Sequence, residues 1–243
     1  GIKMHATTLI AVIDAQKAGN QSAVYTNLRE AYHHMDEFAK TLAGATVAKF
    51  PDKFEGDSSS KASDLRAGMT SLLQEHVLLA GSATGAALGG RQPQFEAAAA
   101  ALNGPTASNT SDLVGAIGSV YGSEVETAFD GLWRSEGHIP AFVAYTQAVA
   151  ADNTAAKDKA VADLLAYART VGETLNQVND NLPAAAVEEE IKGHATTLIA
   201  VIDAQKAKDA TAAASGLREA AHHMSATAKV LAEATVAKFP EKF

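Results

Sequence analysis

The last 54 residues of this chain repeat its first 54. Residues 1–54 and 190–243 align without a gap at an offset of 189, and about two-thirds of the positions are identical. The block HATTLIAVIDAQKA stands at His5–Ala18 and again at His194–Ala207. LREA followed by HHM stands at Leu28–Met35 and Leu217–Met224, and ATVAKFP closes both copies. Six of the eight histidines lie in these shared segments. Because residue 55 would align with residue 244, the phase implies one complete unit over 64–243, preceded by residues 1–54, a helical hairpin that is the C-terminal part of a first unit. The polar run EGDSSSKASD makes 55–63 the linker.

Such a chain must build its core from helices. It is 47% hydrophobic but only 6% aromatic, with alanine dominating the apolar set, a composition suited to closely packed helices rather than to sheets. A net charge of −8, with lysines spread along helix surfaces, excludes a nucleic-acid partner, because phosphate binding needs a basic face. With no cysteine there are no disulfides, thiolate metal sites or cysteine nucleophiles, so any metal must bind through His, Met, Asp or Glu. No apolar run reaches the ~18 residues of a membrane span. The chain opens at Gly1 with neither an initiator methionine nor a signal sequence, and the expectation is a mature or trimmed polypeptide.

Apolar spacing predicts helices over about 2–18 and 23–48, then 64–88, short helices over 93–103 and 112–120, a helix from 122 to 151, bent near Gly137–Pro140 by the proline, and long helices over 154–181, 183–207 and 209–237. No segment alternates like a strand. The predicted fold is therefore all-α. It is an up-and-down antiparallel bundle of about five long helices, carrying the N-terminal hairpin as a partial second copy of the repeat. Two helices cannot each bury an apolar stripe, so residues 1–54 are expected to pack on the complete unit or on the hairpin of a second chain. A homo-oligomer through residues 1–54 is the partner expectation.

The complete unit places histidine near the middle of four of these helices: His76, His138, His194 and the pair His222–His223. Each lies roughly 11 to 15 residues into its helix, so their depths agree within about 6 Å. Helical phase puts His76 on the Leu65/Leu72/Leu79 stripe and His194 on the Ile191/Leu198/Ile202 stripe, with His138 and His223 at the edges of theirs and His222 toward solvent. Met224 is central on its own stripe. Imidazoles with a thioether suit copper, with zinc or haem as alternatives. The candidate metal ligands are His76, His138, His194, His223 and Met224, with His5, His34 and Met35 as the second, incomplete copy. The competing reading of each is a hydrogen-bonded or packing residue of a helical core.

Other candidates read as structural. Trp133 and Arg134 beside His138 suit a packing anchor at a bend, Tyr121 a bundle cap, and Asp14 and Asp203 a capping or solvent-facing role. There is no nucleophile elbow for hydrolase chemistry and no strand-borne glycine loop for phosphate. No general base stands out, so catalysis has no candidate residues.

The segments DLRAGMTSLLQEHVLLA at Asp64–Ala80, IGSVYG at Ile117–Gly122, GHI at Gly137–Ile139, His194 in its helix, and HHM with AKVLAEATVAKFPEKF in His222–Phe243 resemble a group of secreted bacterial helical proteins labelled copper amine oxidase-like, which lack the amine oxidase catalytic domain. The resemblance implies histidines at the positions of His76, His138, His194 and His223, copper by association, and an extracytoplasmic location. The expectation is thus a non-enzymatic helical bundle binding copper, another metal or haem through its histidines. The alternative is a self-assembling protein, dimer or filament, in which the half-repeat hairpin completes a bundle with a neighbouring chain.

Overall fold

The computed structural model describes residues 2–54 and 56–243. Residues 1 and 55, the first positions of the hairpin and of the linker, lie outside the described residues. Ten α-helices run through the described residues, and no strand occurs among them. They are α1 Ile2–Lys17, α2 Gln21–Lys49, α3 Lys61–Leu88, α4 Gln92–Asn103, α5 Asn109–Tyr121, α6 Ser123–Gly131, α7 His138–Ala150, α8 Thr154–Val178, α9 Ala184–Lys206 and α10 Ala210–Lys238. The starts follow local chemistry. Asn20, Ser60, Ser108, Asn153 and Asp209 each accept a hydrogen bond from the amide three residues on, satisfying a donor that the first helical turn leaves open. Gly122, at φ 93°, turns the chain sharply between α5 and α6.

The bundle is made by α3, α7, α8, α9 and α10. Its antiparallel neighbours are α7 with α8, α8 with α9 and α9 with α10, and α3 closes the ring against α10 and α9. The short helices α4, α5 and α6 wrap one side, α4 and α5 against α3. Alanine, as composition suggested, brings the backbones close: Ala86, Ala98, Ala168, Ala220 and Ala228 are fully inaccessible.

The segment between α6 and α7 departs from expectation. The bend precedes the proline. A five-residue π-helical turn, Leu132–Glu136, ends in Gly137, and α7 restarts at His138. Pro140 falls in the first turn of α7, where its missing N–H breaks no helical bond. A π-turn adds a residue to one helical turn and so resets the angular phase of the helix downstream of it. His138, expected mid-helix and at the edge of a stripe, instead begins α7 and faces the core, 2% exposed.

The hairpin α1–α2 packs on the complete unit of its own chain, through α2 against α3 and α4. Val12, Ala15, Val24 and Tyr25 join the same core cluster as Leu79, Leu198 and Ile202. Two of the differences between the two copies trace to this contact. Tyr25, whose hydroxyl accepts from Gln94 Nε2, and Tyr32, whose hydroxyl donates to Gln74 Oε1, are Ala214 and Ala221 in the second copy. Arg29 is buried here, whereas its counterpart Arg218 is exposed.

Candidate metal centre

Three imidazoles meet in the bundle interior: His76 from α3, His138 from the start of α7 and His194 from α9. They are 1%, 2% and 3% exposed. Their ring centroids stand 5.3, 5.7 and 5.4 Å apart, and one nitrogen from each ring lies within 4.8 Å of the other two. The Nε2 atoms of His76 and His138 are 3.2 Å apart. Neither ring nitrogen of His194 has a hydrogen-bond partner. Among the described residues this is the one set of three His, Asp or Glu side chains placed closely enough to hold an ion.

The surrounding wall is aromatic. Trp133 from the π-turn sets its ring 4.4 Å from His138 and 5.0 Å from His76, Tyr167 of α8 lies 5.4 Å from His138, and Phe142 of α7 contacts His138 and His194. Gly137 makes the Tyr167 contact possible, since a Cβ there would run into the tyrosine ring. Burial in this setting governs the protonation state. Burial pushes the His76 imidazole down to about 4, against the opposing influence of the Asn109 amide and the Glu75 carboxylate. Burial, with the neighbouring His76 and His223, takes His194 down to about 3. His138 is held well below its ordinary value by burial and by its two partners. All three rings are therefore neutral at physiological pH, each keeping one nitrogen lone pair, of which one is engaged in the His76–His138 contact and that of His194 is free.

Glu75 follows His76 in burial but not in role. Its carboxylate, 3% exposed, accepts from Arg29 Nε at 3.0 Å and from Asn109 Nδ2 at 2.8 Å, with His33 Nε2 at 3.5 Å. Burial pushes this carboxyl up, but hydrogen bonds from His33, Asn109 and Arg29 more than offset that and keep it below the usual range. Arg29 also pairs with Asp112 and donates to the Ala107 carbonyl. The network pins α2 to α3 and α5 directly behind the histidines.

The remaining sequence candidates fall outside the triad. His223 lies against Glu190, its Nε2 2.9 Å from the carbonyl and 3.7 Å from the carboxylate. Gly193 gives that ring its space. His222 is exposed. Met224 is buried and packs with Leu73, Val77 and Trp133, one shell out from the imidazoles. In the first copy His5 and His34 are half-buried and Met35 is exposed, and none of the three belongs to a ligand set. Arg134 ties the π-turn to Asp130 and to the Asn103 and Gly104 carbonyls, and Tyr121 bonds Thr235 and Asn179 at the bundle end. Asp203 accepts from Tyr145 and Lys157, whereas Asp14 is exposed.

Sequence reasoning missed Tyr167, Phe142 and Asn109. The two aromatics were available as apolar-stripe positions. Asn109 gave no signal, because its place beside His76 depends on how α5 docks. No helix among the described residues is long and apolar enough to cross a membrane. Comparison with protein families, curated proteins and solved structures returned no match.

Proposed function

We propose that this protein binds one transition-metal ion, copper in preference to zinc, through His76, His138 and His194, and that it holds the ion rather than turning over a substrate on it. The observation that carries this reading is the buried set of three neutral imidazoles, one of them with both nitrogens unpartnered. A buried polar atom without a partner costs about 1–3 kcal/mol, and a core position could hold leucine without that cost. Two nitrogens bound to one ion at about 2.0–2.1 Å stand about 2.9–3.4 Å apart for bond angles between square and tetrahedral, which brackets the His76–His138 separation. A His194 nitrogen lies within 4.8 Å of both partners, near enough to supply the third donor.

The donor set argues for copper. It contains no carboxylate or thiolate, and Glu75 is committed to Arg29 and Asn109. A doubly charged ion among uncharged ligands in an apolar enclosure carries a larger desolvation cost than a singly charged one, and cuprous ion accepts three imidazoles readily. Haem fits less well, because the rings touch one another and leave no slot for a macrocycle between them. The resemblance to secreted helical proteins supports an extracytoplasmic setting. Elemental analysis of protein purified without chelator tests the reading. One equivalent of copper is expected, lost in His194→Ala with helicity intact. No metal after incubation with excess copper would reduce the triad to core packing.

A second reading concerns assembly, and a specific observation favours it. Part of the shared block that α9 buries is bare on α1: Leu198 and Ile202 are 1% and 0% exposed, but their counterparts Leu9 and Ile13 are 39% and 60% exposed. Ile2 and Ile10, also exposed, fall on the same side of α1 by helical phase. We infer a homodimer in which two α1–α2 hairpins cover each other. Light scattering at micromolar concentration is expected to give twice the chain mass, falling to the monomer in Ile13→Glu. A strictly monomeric wild type would refute it.

A further inference from the structure

A cleft of about 580 Å³ runs along the bundle between α3, α4 and α7, and its inner end is closed by His76 and His138. Its walls are apolar. Ala83 and Ala87 of α3 line its floor, with Phe95 of α4 and Phe142 of α7 among its walls. No side chain with a formal charge lines it. Its two hydroxyls are internally engaged, Thr84 with Gln205 and Thr146 with the Phe142 carbonyl. The amides of Gln92 and Gln147 supply polarity away from the histidines.

This arrangement selects by chemistry. A pocket of this size matches small organic ligands, whose surface is buried mainly against apolar walls while a few polar groups set their orientation. A charged ligand would lose its hydration with no counter-charge to replace it. The polar groups at the deep end are the Asn103 amide, whose oxygen already accepts from Arg134, and the neutral imidazoles, which recognise a lone pair in either of two ways. A ring N–H donates a hydrogen bond to it, or an ion held by the rings accepts it as a further ligand.

We propose that the cleft is a binding site for a neutral, mainly apolar small molecule that presents one lone-pair donor atom, such as an aromatic nitrogen heterocycle, to the histidine centre. The proposal rests on the metal reading only for how the donor atom is held. The cleft's apolar selectivity is independent of it.

Calorimetry at pH 8 with copper-loaded protein, using 4-phenylimidazole and imidazole as probes, tests the site. Both present the same nitrogen, and only the first has an apolar body to bury. The expected result is at least ten-fold tighter binding of 4-phenylimidazole, an advantage removed by Ala83→Phe, which fills the floor, with copper uptake unchanged. Val143→Trp obstructs the cleft from an exposed position on α7 and repeats the test if Ala83→Phe does not fold. Equal affinities in the wild type would overturn the proposal. The metal-free protein separates the two readings: the neutral dye N-phenyl-1-naphthylamine should brighten on binding, and Val143→Trp should abolish this. Dye binding without copper uptake would uphold the cleft and refute the metal centre. Copper uptake with neither dye binding nor discrimination between the probes would do the reverse.

Discussion

At the scale of single residues, three histidines occupy positions where a packed core would ordinarily place leucine, and their depressed pKa values have a stability consequence. In the unfolded chain each imidazole takes up a proton near pH 6.5, whereas in the native protein His76 does so only near 4 and His194 near 3. Between those limits the unfolded state binds more protons, so native stability falls as the pH falls. The slope is about 1.4 kcal/mol per pH unit for each histidine. His33 acts in the opposite sense. Its hydrogen bond to Glu75 raises its pKa, so its contribution is complete below pH 6.5 and fades as the pH rises through the folded value. One such group does not cancel three. Urea denaturation of metal-free protein is expected to show steep loss of stability from pH 6.5 to 4, and a flat profile there would contradict the burial of neutral imidazoles. The same scale contains Arg29. Its replacement by methionine leaves the Glu75 carboxylate buried without its cation, at an expected cost of about 3–5 kcal/mol in urea unfolding. A loss below about 1 kcal/mol, the range of exposed pairs, would mean that the network is solvated.

Among elements, the π-turn Leu132–Glu136 does most to assemble the centre. It sets Trp133 against two of the rings, rephases α7 so that His138 enters the core, and ends at Gly137, where Tyr167 crosses. Gly137→Ala would push the Tyr167 ring away and with it the face on which His138 rests. The expectation is at least ten-fold weaker copper binding with little change in helix content by circular dichroism. Undiminished binding would show that the turn does not position His138. This is also where the sequence was least legible. Regular periodicity placed His76 and His194 on inward stripes, because α3 and α9 are uninterrupted helices and about 100° per residue carries the phase faithfully along them. No such arithmetic survives a π-turn, so from periodicity alone His138 reads as peripheral and the bend falls to Pro140. Depth alone makes His223 a member of the histidine layer. Its ring instead lies against Glu190, in the space that Gly193 leaves.

The whole molecule consists of one closed bundle and one half-unit whose surfaces have met different fates. The α2 face docks on its own chain through Tyr25, Tyr32 and Arg29, a docking that no repeat comparison predicts, since the two tyrosines are alanine in the other copy and the arginine is exposed there. The α1 face keeps core residues of α9 and leaves Leu9 and Ile13 uncovered, so the all-α architecture was readable from composition and spacing and the incomplete hairpin from the repeat, but the hairpin's partner was not. Trp133, the single tryptophan of the chain, sits beside the proposed metal centre. The most direct measurement is therefore its fluorescence while copper is titrated into metal-free protein. Emission is expected to be quenched linearly up to one equivalent and then to level off, with His76→Ala and His194→Ala showing no such break. Emission that stays constant, or declines without saturation equally in the wild type and both variants, would contradict a metal centre at the triad.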